Sequence, residues 1–277
     1  MRVGVFQFAP VFGNVEHNIE KVARALSPME WGRARGPKCD LLVLPELFNT
    51  GYVFIRRSEA RRLAEPVPSG KTTRALIALA EKHRLHIVAG IAERAGSRVY
   101  NSSVLVGPRG HIGTYRKLHL FYREKFWFEP GNRAPEVYRV GGPPRRDGAR
   151  VGMMVCFDWI FPEVARSLAL AGADLIAHPS DLVLPYCFDA MRTRSLENHI
   201  FIATCDRTGR ESRGGFSMTF RGMSQITGTR GEILVRLSSR EEKLAVVKID
   251  PGEARSKRLT PMNDLLRDRN PKGYRLA

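Results

Sequence analysis

Short apolar runs that stop at a turn constrain this chain most. LLVLPE (41–46), HIVAGIAER (86–94), VGMMVC (151–156) and ADLIAHPS (173–180) read as strands, most of them buried. Between such runs lie stretches with apolar residues at helical spacing. NVEHNIEKVARALSPME (14–30) aligns Val15, Ile19, Val22, Ala23 and Leu26, with Asn14 as cap. SGKTTRALIALAEKHR (69–84) follows with Ser69 as cap, then FPEVARSLALAG (161–172), closed by Gly172, and CFDAMRTRSLENH (187–199). RVGVFQFA (2–9), VYNSSVLVG (99–107), the start of HIGTYRKLHL (111–120) and IFIATCDRTG (200–209) add strands. GMSQITG, EILVRLS and KLAVVKID continue as strands with turns between them. Alternating helices and buried strands predict an α/β fold, and the late strand run predicts antiparallel pairing. A layered sandwich of mixed sheets fits better than a doubly wound sheet.

The chain has 277 residues, 43% of them hydrophobic, with no repeat or low-complexity tract. One domain over 1–277 is expected; GGPPRRDGAR (141–150) is the most loop-like stretch. MRVGVFQFAP carries no signal-peptide apolar region, and no run approaches a membrane span. Cys39, Cys156, Cys187 and Cys205 are dispersed, without metal or disulfide spacing. A cytoplasmic protein with a free thiol is expected. The net charge of +17 favours non-specific contact with polyanions, but the arginines are scattered and no RNP pattern or zinc-finger spacing occurs. Specific nucleic-acid or membrane partners are not expected. No Gly-rich phosphate-binding motif follows a strand.

Three residues near strand ends carry the chemical signal. In VGMMVCFDWIFPE (151–163), Cys156 alone reads as the last packed residue of a strand, because free cysteine is commonly buried. The other reading makes it a nucleophile at a strand–turn–helix junction, with Pro162 opening the helix. Glu46 closes LLVLPE, where a carboxylate is usually a cap or a surface charge. Lys117 sits in GTYRKLHLFYREKFWFEPGN, an aromatic stretch that suits a lid or a satellite core. A partly buried ammonium needs a carboxylate, and Glu124 is the candidate. A thiolate attacks where a thiol barely does. A base takes its proton, an ammonium stabilises the anion, and backbone N–H groups hold a developing oxyanion. His119 or His178 would be the partner in a rival Cys–His arrangement, but neither has such a context.

LPELFNTGY, YRKLHLF and GMMVCFDWIFPE, in this order, resemble the three catalytic motifs of the nitrilase (carbon–nitrogen hydrolase) superfamily. The resemblance runs through VFQFAP, NSSVLVGPRG, YREKFWFEPGN, HPS and RSLENHIF, and is nearest the small-aliphatic nitrilase/amidase group. It implies a four-layer α-β-β-α sandwich, no metal or organic cofactor, and a homodimer or larger oligomer, with the tail at about 250–277 in the contacts. It puts the nucleophile on Cys156, the base on Glu46, the lysine on Lys117 and a substrate-orienting glutamate on Glu124. The implied reaction converts a small nitrile or primary amide to acid and ammonia through a thioester, with Lys117 and the Phe157 N–H stabilising the tetrahedral state. Hydrolysis of an N-carbamoyl amine is the alternative, and a catalytically idle basic binding protein is the alternative of another class.

Loops after the catalytic strands offer Tyr52, Phe121, Trp127, Trp159, Asp181 and Tyr186 as pocket residues. Each ring could equally be core or interface. An ionised Asp181 in the pocket would favour a cationic or hydrogen-bond-donating substrate. Otherwise it caps the helix near 186–199 or pairs with an arginine.

Overall fold

The computed structural model describes residues 1–27, 39–141 and 148–275. Three parallel strands, β1 (Arg2–Gln7), β2 (Leu41–Val43) and β3 (His86–Ala95), form the centre of a first sheet. β4 (Arg98–Gly107) and β5 (Gly110–Arg116) extend it by antiparallel hairpins, and β14 (Lys243–Lys248) pairs antiparallel with β1. In the second sheet, β7 (Ala149–Met153), β8 (Leu175–Ser180) and β9 (Phe201–Asp206) are the parallel centre. β6 (Val137–Val140) flanks β7; β12 (Gln225–Thr227) and β13 (Ile233–Arg236) flank β9, all antiparallel. The sheets have six strands each. They face one another through contacts of β1 and β2 with β8 and β9.

Helices α1 (Val15–Leu26) and α3 (Lys71–His83) cover the first sheet, and α5 (Pro162–Leu170) and α6 (Cys187–Asn198) cover the second. The result is the four-layer α-β-β-α sandwich. The strands explain why they read as unbroken apolar runs. Leu41 and Val43 of β2 point into the core between the sheets, while Leu42 and Leu44 point into the core under α1 and α3. With both faces buried there is no water-facing row to alternate with.

Several local expectations are corrected. The first helix is described as far as Leu26, and residues 28–30 of its expected span lie outside the described residues, as do 142–147 of the 141–150 loop. Asn14 does cap α1, accepting from His17 N at 3.2 Å. Ser69 does not cap α3, whose cap position is Gly70. Glu65 reaches in instead and accepts from Thr72 N at 2.7 Å. The strand before Cys156 stops at Met153, and residues Cys156–Ile160 form a 3-10 turn before α5. Helix α2 (Arg57–Leu63), the short helix α4 (Glu124–Trp127), strand β6 and the hairpin of β10 (Arg210–Arg213) with β11 (Phe216–Thr219) have no counterpart in the sequence reading. Each spans only four to seven residues, too few for periodicity to give much signal. Residues Pro251–Arg255 make a further 3-10 turn. Lys257 then donates to the carbonyls of Asn198 and His199, both at 2.9 Å, which ties the tail to the end of α6. No described helix is long and apolar enough to cross a membrane.

Candidate active site

Glu46 lies beyond the end of β2, where Pro45 has no N–H to continue the ladder. The backbone is pressed against β3: Gly90 N donates to Pro45 O at 3.1 Å and Phe48 N donates to Gly90 O at 3.0 Å. A Cβ on Gly90 would stand 2.8 Å from Pro45 O, so only glycine admits this approach. The turn continues through Leu47 at φ 43°, and Glu46 is fully buried.

Lys117 follows β5 and is clamped at both ends of its peptide unit. Its N–H donates to Asn101 O at 2.9 Å, and its carbonyl accepts from Gly131 N at 2.8 Å. The buried ammonium donates to Glu46 Oε1 at 2.6 Å and to Glu124 Oε1 at 2.8 Å. Asn101 Nδ2 donates to Glu46 Oε1 at 2.6 Å, and Tyr52 OH donates to Glu124 Oε1 at 2.5 Å. Burial works against the Lys117 charge, but the Glu124 and Glu46 carboxylates hold its pKa well above the ordinary value. Burial drives Glu124 the other way, to about 7, with Lys117 opposing.

Cys156 opens the 3-10 turn at φ 42°, a left-handed conformation that costs an L-residue about 1–3 kcal/mol. Asp158 holds the turn. Its Oδ2 accepts from Val155 N at 3.0 Å and from Tyr115 OH at 2.7 Å. Its Oδ1 accepts from His119 N at 3.1 Å and contacts His119 Nδ1 at 2.8 Å. One carboxylate therefore ties the cysteine turn of the second sheet to the lysine segment of the first. His178 Nε2 lies 2.9 Å from Cys156 O and 3.1 Å from Ser180 Oγ. Burial lowers His178 to about 4, so the ring is neutral at pH 7 and its nitrogen serves the backbone, not the thiol. His119 is engaged with Asp158 and stacks on Phe161 at 3.6 Å. Burial, aided by Glu46 and resisted by Lys117, pushes the Cys156 thiol well above its ordinary value. Cys156 therefore rests as a thiol.

The carbon–nitrogen hydrolase family profile matches residues 2–259. The chain belongs to the carbon–nitrogen hydrolase family. It is 44% identical over 274 residues to a nitrilase of Pyrococcus abyssi, covering 99% of both chains. It is 31% identical over 272 residues to an (R)-stereoselective amidase of a Pseudomonas species, covering 97% of this chain and 91% of that one. Among solved structures, a carbon–nitrogen hydrolase of Helicobacter pylori superposes with a TM-score of 0.78 at 27% identity, over 92% of this chain and 90% of that one. The protein is a hydrolase of the nitrilase and amidase type.

In this hydrolase, a narrow cleft of about 10 Å³, room for about one water, opens beside Cys156. Phe121, Phe157, Trp159, Asp181 and Leu182 are among its walls. Of the sequence-selected pocket residues, the structure brings Phe121, Trp159 and Asp181 there. Tyr52 stands behind the cleft, bonded to Glu124 and edge-on to Phe220 at 5.7 Å. Trp127 packs beside Phe126 at 5.8 Å, and Tyr186 is 65% exposed at the head of α6; neither lines the cleft. The sequence reading gives no role to Asn101. Asn101, Ser102 and Ser103 are three polar residues in an otherwise apolar strand, and that was the available signal. Among the described residues, no group of three or more His, Cys, Asp and Glu is placed to hold a metal ion.

Proposed function

We propose that this hydrolase cleaves a small nitrile or primary amide by covalent thiol catalysis, with Cys156 as nucleophile, Glu46 as base and Lys117 as oxyanion partner. One observation carries the proposal. Glu46 Oε1 is taken by Lys117 and Asn101, while Oε2 is buried without a partner. That free oxygen is the acceptor for the proton of a thiol whose ionisation burial opposes.

Glu46 takes the Cys156 proton as sulfur attacks the substrate carbon. Lys117 and the Phe157 N–H stabilise the negative charge of the tetrahedral state. Glu46 returns the proton to the departing ammonia, leaving a thioester. It then deprotonates the water that releases the acid. For a nitrile, water first converts a thioimidate to the same tetrahedral state. Glu124 holds the ammonium, and Tyr52 and Asn101 hold the two glutamates.

Ammonia release on a panel of short nitriles, primary amides and N-carbamoyl amines tests substrate class and activity together. Intact-mass spectrometry should catch an acyl adduct on Cys156, and Cys156→Ala should show neither adduct nor turnover. Turnover by Cys156→Ala would sink the scheme. We also propose self-association through the tail, where Leu259 is 57% and Met262 88% exposed. Light scattering on the full chain and on one ending at Arg258 would check this; equal masses would refute it. Four unpaired, buried cysteines support a reducing, cytoplasmic setting.

A further inference from the structure

A second group of buried acids adjoins the reacting cysteine, and the proposed reaction does not use it. Asp181 follows β8, while Asp206 and Arg207 close β9. Asp206 Oδ1 accepts from Leu182 N at 2.7 Å. Arg207 donates to Glu211 Oε2 at 2.6 Å and to Pro10 O at 3.2 Å, with its guanidinium 4.0 Å from the Phe220 ring centre. Asp181 differs from both: its two carboxyl oxygens are buried and neither has a partner. The side chain caps no helix, since α6 has no side-chain cap, and no arginine bonds to it.

Its position is close to the chemistry. Asp181 lines the cleft with Cys156, and its backbone amide pulls the Cys156 thiol down against the rise from burial. The rest of that wall is Phe121, Phe157, Trp159 and the apolar run Leu182–Leu184, none with a side-chain cation to offer. A buried carboxyl without donors is costly, so a donor arriving with the substrate would be held strongly.

We infer that Asp181 determines specificity: the cleft takes a short nitrile or amide bearing an amino group a few bonds from the reacting carbon, and Asp181 accepts from that nitrogen. This rests on the thiol-hydrolase reading above. The surrounding field favours a cation. Glu46, Asp206 and Glu211 act on Asp181 from three other segments, with Arg207 as the opposing charge. Burial, with those acids, holds the Asp181 carboxyl well above the usual range against the pull of Arg207, which favours its protonated form in the empty cleft. A free amine entering the cleft takes the Asp181 proton. An ammonium ion entering it displaces that proton to solvent. Both routes end in the same carboxylate–ammonium pair.

Glycinamide, β-alaninamide and 4-aminobutanamide, each beside its methyl-for-amino counterpart, make the test. The wild type should prefer at least one amino amide by about tenfold in kcat/KM, the worth of a charge-assisted hydrogen bond. Asp181→Asn should erase that preference, mainly through KM. In Cys156→Ala, calorimetry should show the same amide binding about tenfold tighter than its counterpart, and Asp181→Asn in that background should equalise the two. No ammonia from any amide or nitrile would remove the hydrolase reading and leave calorimetry to decide the role of Asp181. Equal binding within all three pairs, or a preference that survives Asp181→Asn, would overturn the inference. If Asp181→Asn fails to fold, the wild-type ratios and Cys156→Ala affinities still decide.

Discussion

The ends of the two sheets meet at one cleft but treat charge in opposite ways. On the first sheet, Lys117 is buried and bonded to both Glu46 and Glu124, and Asn101 and Tyr52 donate to the same two carboxylate oxygens, leaving only Glu46 Oε2 open for the thiol proton. On the second, Asp181 has no partner at either oxygen and Asp206 lacks one at Oδ2. Paired charges in a dry site are preorganised and need no rearrangement during reaction. Unpaired acids are costly by themselves and gain most from a ligand. The first sheet therefore carries the fixed machinery, and the second carries the nucleophile and the part that awaits a partner.

Breaking the paired side should have the largest effects. Glu46→Gln removes the base while keeping the Lys117 contact, and should lower kcat/KM by about 10²–10⁴-fold. Steady-state ammonia release would measure it, and unchanged kinetics would dissolve the contrast between the sheets. Lys117→Met leaves Glu46 and Glu124 facing each other unneutralised, which should cost about 3–5 kcal/mol in denaturant unfolding.

The pH dependence of stability sharpens the contrast further. Between 4.5 and about 7, Glu124 keeps a proton in the fold that it loses when unfolded, so its contribution to stability falls as pH rises through that window. His178 does the reverse. From 6.5 down to about 4 the unfolded chain binds a proton that the folded ring refuses, so stability falls as pH falls. Urea midpoints from pH 4 to 8 should therefore steepen upward with pH in Glu124→Gln and flatten in His178→Asn. Matching profiles for the two variants would contradict the assignment.

Relieving the unpaired side should give the smallest effect, and with the opposite sign. Asp206 is driven well above its usual range by burial, against bonds from Leu182 and Arg207. Its contribution is lost as pH rises, so Asp206→Asn should gain about 1 kcal/mol at pH 8 and less at pH 5. A loss at pH 8 would mean that the second sheet's acids are satisfied after all.

Much of this was legible in the chain. Continuous apolar runs gave the buried strands, because residues with both faces covered leave no polar alternation. The family resemblance of three short motifs led to Glu46, Lys117 and Cys156, which lie just past the ends of β2, β5 and β7. The hairpin of β10 and β11 was not legible, because its strands are only four residues long and half exposed. Ser69 misled because a capping residue type stood one place too early, while the true partner, Glu65, lay five residues before the cap position at Gly70.

The four-layer order came through the family resemblance; by itself the sequence determined the α/β class, the buried strands and the kinds of side chain near their ends. Those depend on local periodicity and on neighbours along the chain. Only the tertiary structure decided which charges are paired. Asn101 reaches Glu46 across 55 positions and Tyr52 reaches Glu124 across 72. Asp158 joins the two sheets by accepting from Tyr115 and His119 on the far one. Asp181 reads in sequence as a possible cap or ion-pair partner. In the fold it is a buried acid beside Cys156 with no partner, because partnership in a dry interior depends on distances that no local pattern encodes.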